Sequence, residues 1–288
     1  DTGYPESPAY NWAEIDPGFG GSGTELTLAN DETKTIALPF PFKYYGTTYN
    51  RLSVCANGYL ALDSTWIADM YNWHIPAALG PPLLVAPFWD DFDPTATDSS
   101  RGVYYYHDAA NHRLIIEYSR IQHLHDPTNP QPAELQTFEA ILFDPAYYPT
   151  QSGDGEIVFQ YNRIFNDDTW HDYATCGIEN AEHTTGLECT FAGLYPAAVA
   201  LLADGRAIKF TTDQPDPFPG VGEDKNIVGG VILFSAHPNP ARNRIEFKLN
   251  PAKAHRAERI ELSVYDISGR LIRSFALTPM PSALSWDG

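Results

Sequence analysis

The chain has 288 residues, 43% apolar and 13% aromatic, enough for one large domain and one small one, each with its own core. Its net charge of −19 is unevenly spread: residues 226–288 hold eight Lys/Arg against five Asp/Glu, a net +3, and the rest of the chain carries −22. So acidic a body repels phosphate backbones and argues against nucleic acid as a partner, and no run of about 18 apolar residues is present to form a transmembrane segment.

Seventeen Tyr, 15 Phe and 24 Pro against two Met favour strands and turns over helices. Asp1–Pro5 contain neither a charged nor an apolar leader region, so an exported form would already have shed its signal peptide. Strand patterns follow at Thr24–Leu28, Lys34–Phe40 and Leu52–Ala56. Asn57-Gly58 then separates Leu52–Ala56 from Tyr59–Leu62, the strongest short-range hairpin signal a sequence carries. Further strands are predicted at Leu83–Trp89, Val103–His107, Leu114–Tyr118, Thr137–Phe143, Glu156–Tyr161, Tyr173–Glu179, Leu187–Phe191 and Ala207–Thr211. Asn111-His112, Asp154-Gly155 and Asp204-Gly205 supply turns between them. Helical periodicity is confined to a short piece near Pro196–Leu202. Many short strands with regular turn signals predict an antiparallel β-sandwich over residues 1–212.

Residues 213–229 open with Asp213–Asp224, dense in Pro, Gly and acid, and read as a semi-rigid linker. A second β pattern occupies residues 230–288. Ile245, Phe247 and Leu249 alternate with Glu246 and Lys248, and Ile260, Leu262 and Val264 alternate with Glu261 and Ser263. The fold class expected is therefore all-β: a large antiparallel sandwich followed by a small Ig-like sandwich with about five strands, fewer than the usual seven.

Leu38–Gly46, Ala56-Asn-Gly-Tyr-Leu60, Ala86-Pro-Phe-Trp-Asp-Asp91, Gly102–Tyr106, Thr137–Leu142, Gly155–Tyr161 and Cys176–Asn180 occur in an order that resembles the nidogen-type extracellular domain and its bacterial relatives. His237-Pro-Asn-Pro240, Ile260–Arg270 and Ser285-Trp-Asp-Gly288 resemble the C-terminal sorting domain of type IX secretion cargo, similar to the Ig-like domain of flagellar hook-capping proteins. Members of that group continue past Trp-Asp-Gly into closing strands that this sequence lacks. The two resemblances imply a protein exported to the outer surface of a bacterium or released from it.

Asp90, Asp91, Asp93 and Asp98 sit close together after a predicted strand, and such a loop suits either a calcium ion or a series of side-chain-capped turns. His123 and His125 would share one strand face as half of a zinc site, with no third ligand evident, and two exposed histidines are the simpler reading. Trp66, Tyr71 and Trp73 cluster, and Trp66 and Trp73, which fall in an irregular loop, are candidates for stacking on sugar rings, with core filling the alternative. Tyr104 and Tyr106 share a face opposite Tyr105, so at least one side of that strand is expected to be core. Cys176 and Cys189 flank a predicted hairpin and are candidates for a disulfide, while Cys55 reads as a small buried residue. No nucleophile elbow, His-Glu-x-x-His helix or phosphate loop is present. The function expected is a non-catalytic structural or adhesive one. The partners would be copies of itself or a surface protein, joined by strand-edge pairing. The alternative is an accessory carbohydrate- or protein-binding module of a larger secreted enzyme such as a peptidase.

Overall fold

The structure is a computed structural model that describes residues 7–95, 102–124, 135–167, 169, 173–196 and 199–213, with five strands in the C-terminal region. The chain divides into two compact units, Asp1–Asp216 and Pro217–Gly288. The first contains β1 (Thr24–Glu25), β2 (Thr33–Tyr44), β3 (Thr47–Cys55), β4 (Leu60–Leu62), β5 (Leu84–Trp89), β6 (Phe92–Asp93), β7 (Gly102–Asp108), β8 (Arg113–His123), β9 (Leu135–Phe143), β10 (Ile157–Arg163), β11 (Thr175–Glu179), β12 (Gly186–Thr190) and β13 (Arg206–Phe210). Its one described helical turn is a 3-10 turn at Pro17–Phe19, capped by the Asp16 side chain on the Gly18 amide. Among the described residues, no helix is long and apolar enough to cross a membrane.

These strands form two antiparallel sheets. The first has the order β1-β7-β8-β9-β10-β13, with β6 pairing to β8, and the second has the order β12-β11-β5-β4-β3-β2. The main core between them is rich in aromatics, including Phe42, Phe88, Phe92, Tyr118, Phe138, Phe159 and Tyr161. Tyr118 stacks on Phe138 with 4.6 Å between ring centroids, within the range favoured by aromatic pairs. Two tyrosine hydroxyls tie the sheets together: Tyr118 on β8 donates to Cys55 O at 2.7 Å, and Tyr161 on β10 donates to Pro87 O at 2.8 Å. Burial pushes both phenols well above their ordinary pKa, so each remains a donor throughout the accessible pH range. Pro87 cannot donate to a ladder, yet it lies in an inner strand. The β5–β11 register shifts between Thr175 and Gly177, and this bulge accommodates it.

Several strands are buried on both faces. β4, β5 and β11 are buried at every position, and β8 and β9 nearly so. Irregular chain covers the outer faces. Over the first sheet, Ala13 and Ile15 pack on Tyr104, Ile115, Ile141 and Val158. Over the second, Ala68 and Ile75 from the β4–β5 connection pack on Cys55, Tyr59, Leu84, Ala86 and Trp89. The unit is thus a sandwich with an outer apolar layer on each side. Tyr104 lies under the N-terminal segment, Tyr105 packs against the main core, and Tyr106 is exposed.

The predicted Asn57-Gly58 hairpin forms, but its turn is buried. Phe88 N donates to Gly58 O and Phe92 N donates to the Asn57 side chain at 3.1 Å. The region Pro196–Leu202 contains no helix among its described residues.

In the second unit, β14 (Phe234–His237), β15 (Ile245–Leu249) and β18 (Ala283–Trp286) form a three-stranded antiparallel sheet. β16 (Glu261–Tyr265) and β17 (Leu271–Ala276) form an antiparallel pair. Most of the linker read from the sequence, residues 214–229, lies outside the described residues.

Gly58 has φ +76°, and a Cβ there would lie 1.9 Å from Phe88 O. Gly58→Ala is expected to cost about 3 kcal/mol, from left-handed strain and overpacking together. At Gly205, φ is +73° with nothing within 4 Å, so Gly205→Ala should cost only about 1 kcal/mol. Urea unfolding of the two variants measures the difference directly.

Candidate functional site: an anchored aromatic loop

The β4–β5 connection, residues 63–83, has no strand or helix of its own. Loops of this length in a compact domain generally carry function. Its backbone is held at many points by side chains of the second sheet. The Tyr59 hydroxyl donates to Ile67 O at 2.9 Å and accepts from Asp69 N at 3.0 Å. Trp89 Nε1 donates to Asp69 O at 2.9 Å, and Thr33 Oγ1 donates to Ile67 O at 2.6 Å. Further along, Asn72 Nδ2 bonds Tyr173 O and Thr175 Oγ1, and Thr175 Oγ1 in turn donates to Trp73 O at 2.9 Å. Two glutamates clamp the region of the cis Ile75–Pro76 bond: Glu188 accepts from Ile75 N at 2.7 Å, and Glu179 accepts from Ala77 N at 3.3 Å. Glu179 is buried, which raises its pKa, while His183 Nδ1 at 2.8 Å favours its charged form.

Against this fixed backbone, the large side chains point outward. Trp66 is 88% exposed, Tyr71 54%, Leu79 50% and Trp73 38%. Trp is among the residues most buried on average, so an 88% exposed Trp on a pinned loop departs from the usual placement. The sequence singled out Trp66, Trp73 and Tyr71. It did not identify Leu79 or the anchors Tyr59, Asn72, Glu179 and Glu188, whose partners lie up to 113 positions away.

The other candidates fare differently. Asp90 is fully buried and its Oδ2 lies 3.0 Å from His123 Nε2, so this aspartate and this histidine face each other inside the domain. Asp90 Oδ1 also accepts from Asp91 N, and Asp93 caps the amide and hydroxyl of Thr95. Asp98 and His125 lie outside the described residues. Among the described residues, no group of three or more His, Cys, Asp or Glu is arranged to hold a metal ion. Of the four candidate calcium ligands, Asp90 is turned into the core toward His123, and Asp93 caps a turn, as the alternative reading of that loop expects. The proposed pair of exposed histidines is corrected for His123. Cys176 on β11 and Cys189 on β12 are neighbours, but both are free thiols, as is Cys55, so the expected disulfide is not formed. Both side chains belong to the main core, where Cys176 interacts with Cys189 and its Sγ lies 3.2 Å from the Tyr161 hydroxyl.

A shallow apolar groove of about 130 Å³ lies between Tyr44, Tyr45, Ile157, Ile178, Leu187 and Phe210, smaller than a typical ligand pocket. A larger open groove of about 500 Å³ on the outer face of the first sheet is of mixed character, lined by Ile141, Phe143 and Val158 beside Arg113, Glu156 and Lys209. Its cations are already held, Arg113 by Asp108 and Lys209 by Glu156. Among the described residues, the aromatic loop is thus the most exposed apolar feature that is also anchored.

The family model described as NIDO related matches residues 8–211, nearly the whole of this sandwich. The chain belongs to the NIDO-related family. No curated protein and no solved structure matches the chain. The NIDO-related domain thus includes both the N-terminal covering segment and the aromatic loop, whereas the matched region ends before the second unit.

Tyr59→Phe in the NIDO-related domain removes two hydrogen bonds to the loop while keeping the ring against Trp89. It is expected to lower stability by about 1–3 kcal/mol, since the Asp69 amide loses its acceptor. A urea titration that puts the variant within 0.3 kcal/mol of the parent, roughly the error of such a comparison, would show that the hydroxyl anchors nothing.

Proposed function

We propose that this NIDO-related chain is a non-catalytic extracellular adhesive module that binds its partner through the loop at residues 63–83. The observation that carries this reading is the 88% exposure of Trp66 on a backbone fixed by Tyr59, Trp89 and Thr33. An aromatic face held rigid loses little conformational freedom on binding, so more of its contact energy is available as affinity. Flat indole and phenol faces suit sugar rings and apolar protein surfaces alike. The acidic body disfavours polyanions. In this reading the C-terminal unit is a sorting-type Ig-like module that directs export to a bacterial surface, and the alternative of an accessory module in a larger secreted enzyme uses the same loop.

Binding through the loop is preferred over self-assembly by strand-edge pairing. β2 is the long edge strand of its sheet, and it carries Pro39 and Pro41, which lack amide donors, along with Lys34 and Lys43. Proline and lysine are the usual means of blocking edge-to-edge association.

The test is a retention assay of the full chain on three immobilised probes: neutral polysaccharides, bacterial outer-surface preparations, and the chain itself. Retention on polysaccharide or outer-surface material, reduced at least tenfold in Trp66→Ala with Trp73→Ala, is the expected result. Both positions are surface sites, so the free energy of unfolding should stay within about 0.5 kcal/mol of the parent. Retention unchanged in the double variant, or confined to the chain itself, overturns the reading.

A further inference from the structure

On the outer face of the first sheet, three polar side chains lie in one cross-strand row. Glu117 on β8 is paired with Glu139 on β9, and Glu139 is paired with Gln160 on β10. Both glutamates are fully buried, and Gln160 is nearly so. The row sits within the apolar layer made by Ile15, Tyr104, Ile115, Ile141 and Val158. The N-terminal segment crosses above it and is attached through these same groups. Asn11 exchanges two hydrogen bonds with the Gln160 amide, at 2.5 and 2.9 Å. Ile15 N donates to Glu117 Oε2 at 2.7 Å, and Gln160 Nε2 donates to Glu139 Oε1 at 2.6 Å.

The charges around this row do not balance. The segment contributes Glu14, Asp16 and the Tyr10 phenol, β8 contributes Glu117, Arg113 and Arg120, β9 contributes Glu139, and β7 contributes the Tyr104 phenol. Arg120 is bidentate to Glu14, at 3.2 and 3.0 Å, and its nitrogen reaches Glu117 Oε1 only at 3.5 Å. Arg113 is held by Asp108. Asp16 accepts from Ser119 Oγ at 2.6 Å. Arg113, paired with Asp108, acts on Glu139 only as a weaker charge that burial outweighs, and Glu117 shares its cation with a better-placed competitor. Two adjacent, desolvated carboxyls in that position are held in the acid form.

We propose that the segment at residues 10–16 is a pH-sensitive latch, closed while Glu117 and Glu139 are both protonated and released from the sheet when they ionise. Burial, reinforced by Glu14 and Glu139, pushes Glu117 up to about 9, and burial pushes Glu139 up to about 8. An unfolded glutamate releases its proton near 4.5. The protonated pair therefore stabilises the closed latch fully below that pH, progressively less as pH rises, and not at all above the folded values. Opening would also remove Pro8, Ala9 and Asn11 from the wall of the large mixed groove, making the groove continuous with the uncovered row.

The test is hydrogen exchange of the full chain from pH 6 to pH 10, with rates divided by the intrinsic rate at each pH. Protection of residues 10–16 should fall at least tenfold between pH 7 and 10 while β9 and β10 stay protected, and Glu117→Gln with Glu139→Gln should abolish that fall. Protection that does not change with pH in the parent chain overturns the latch, as does a loss shared equally by β9 and β10. The parent profile decides the matter even if the double variant fails to fold.

Discussion

Irregular chain laid against a sheet buries backbone amides and carbonyls that have no ladder to join, and each must find a side-chain partner or cost on the order of 1–3 kcal/mol. That constraint governs this domain, because both outer sheet faces are covered by chain without regular structure. The partners are long polar side chains rising from the strands. Gln160 and Gln136 act as short stand-ins for a neighbouring strand, each bonding both the amide and the carbonyl of one passing residue, Asn11 and Phe165 respectively. Glu117, Glu179 and Glu188 each receive a single amide, and Tyr59 serves as donor and acceptor at once.

The same device has different consequences on the two faces. Over the second sheet, the anchors leave Trp66, Tyr71 and Trp73 pointing away from the domain, so fixing the backbone presents the rings. Over the first sheet, the anchors include two carboxyls in a dry layer, so attachment of the segment is linked to their protonation. Hydrogen bonds from tyrosine to backbone carbonyls across the main core keep the two sheets in register beneath both coverings.

The strands were legible in the sequence because apolar runs bounded by Gly, Asn and Asp mark them whatever covers the sheet. The Asn57-Gly58 hairpin is legible in the sequence, but its burial is not, since that depends on Phe88 and Phe92 approaching from two later strands. A signal for the outer layers did exist: Leu114-Ile-Ile-Glu-Tyr118 and Phe138-Glu-Ala-Ile-Leu142 each place a glutamate inside an otherwise apolar run. An alternating pattern would have left those positions solvated, and only the covered face makes them buried. The aspartates at 90, 91 and 93 were legible as a cluster, but not their directions. Spacing alone does not reveal that Asp90 turns inward to His123.

The central claim is that the loop at residues 63–83 is a rigid platform rather than a floppy connection with aromatic residues on it. Backbone 15N relaxation of the full chain tests this most directly. Order parameters of about 0.85 at Ile67, Asp69, Trp73 and Ala77, matching the flanking strands, are what the anchored geometry predicts. Values below about 0.6 at those residues would contradict it.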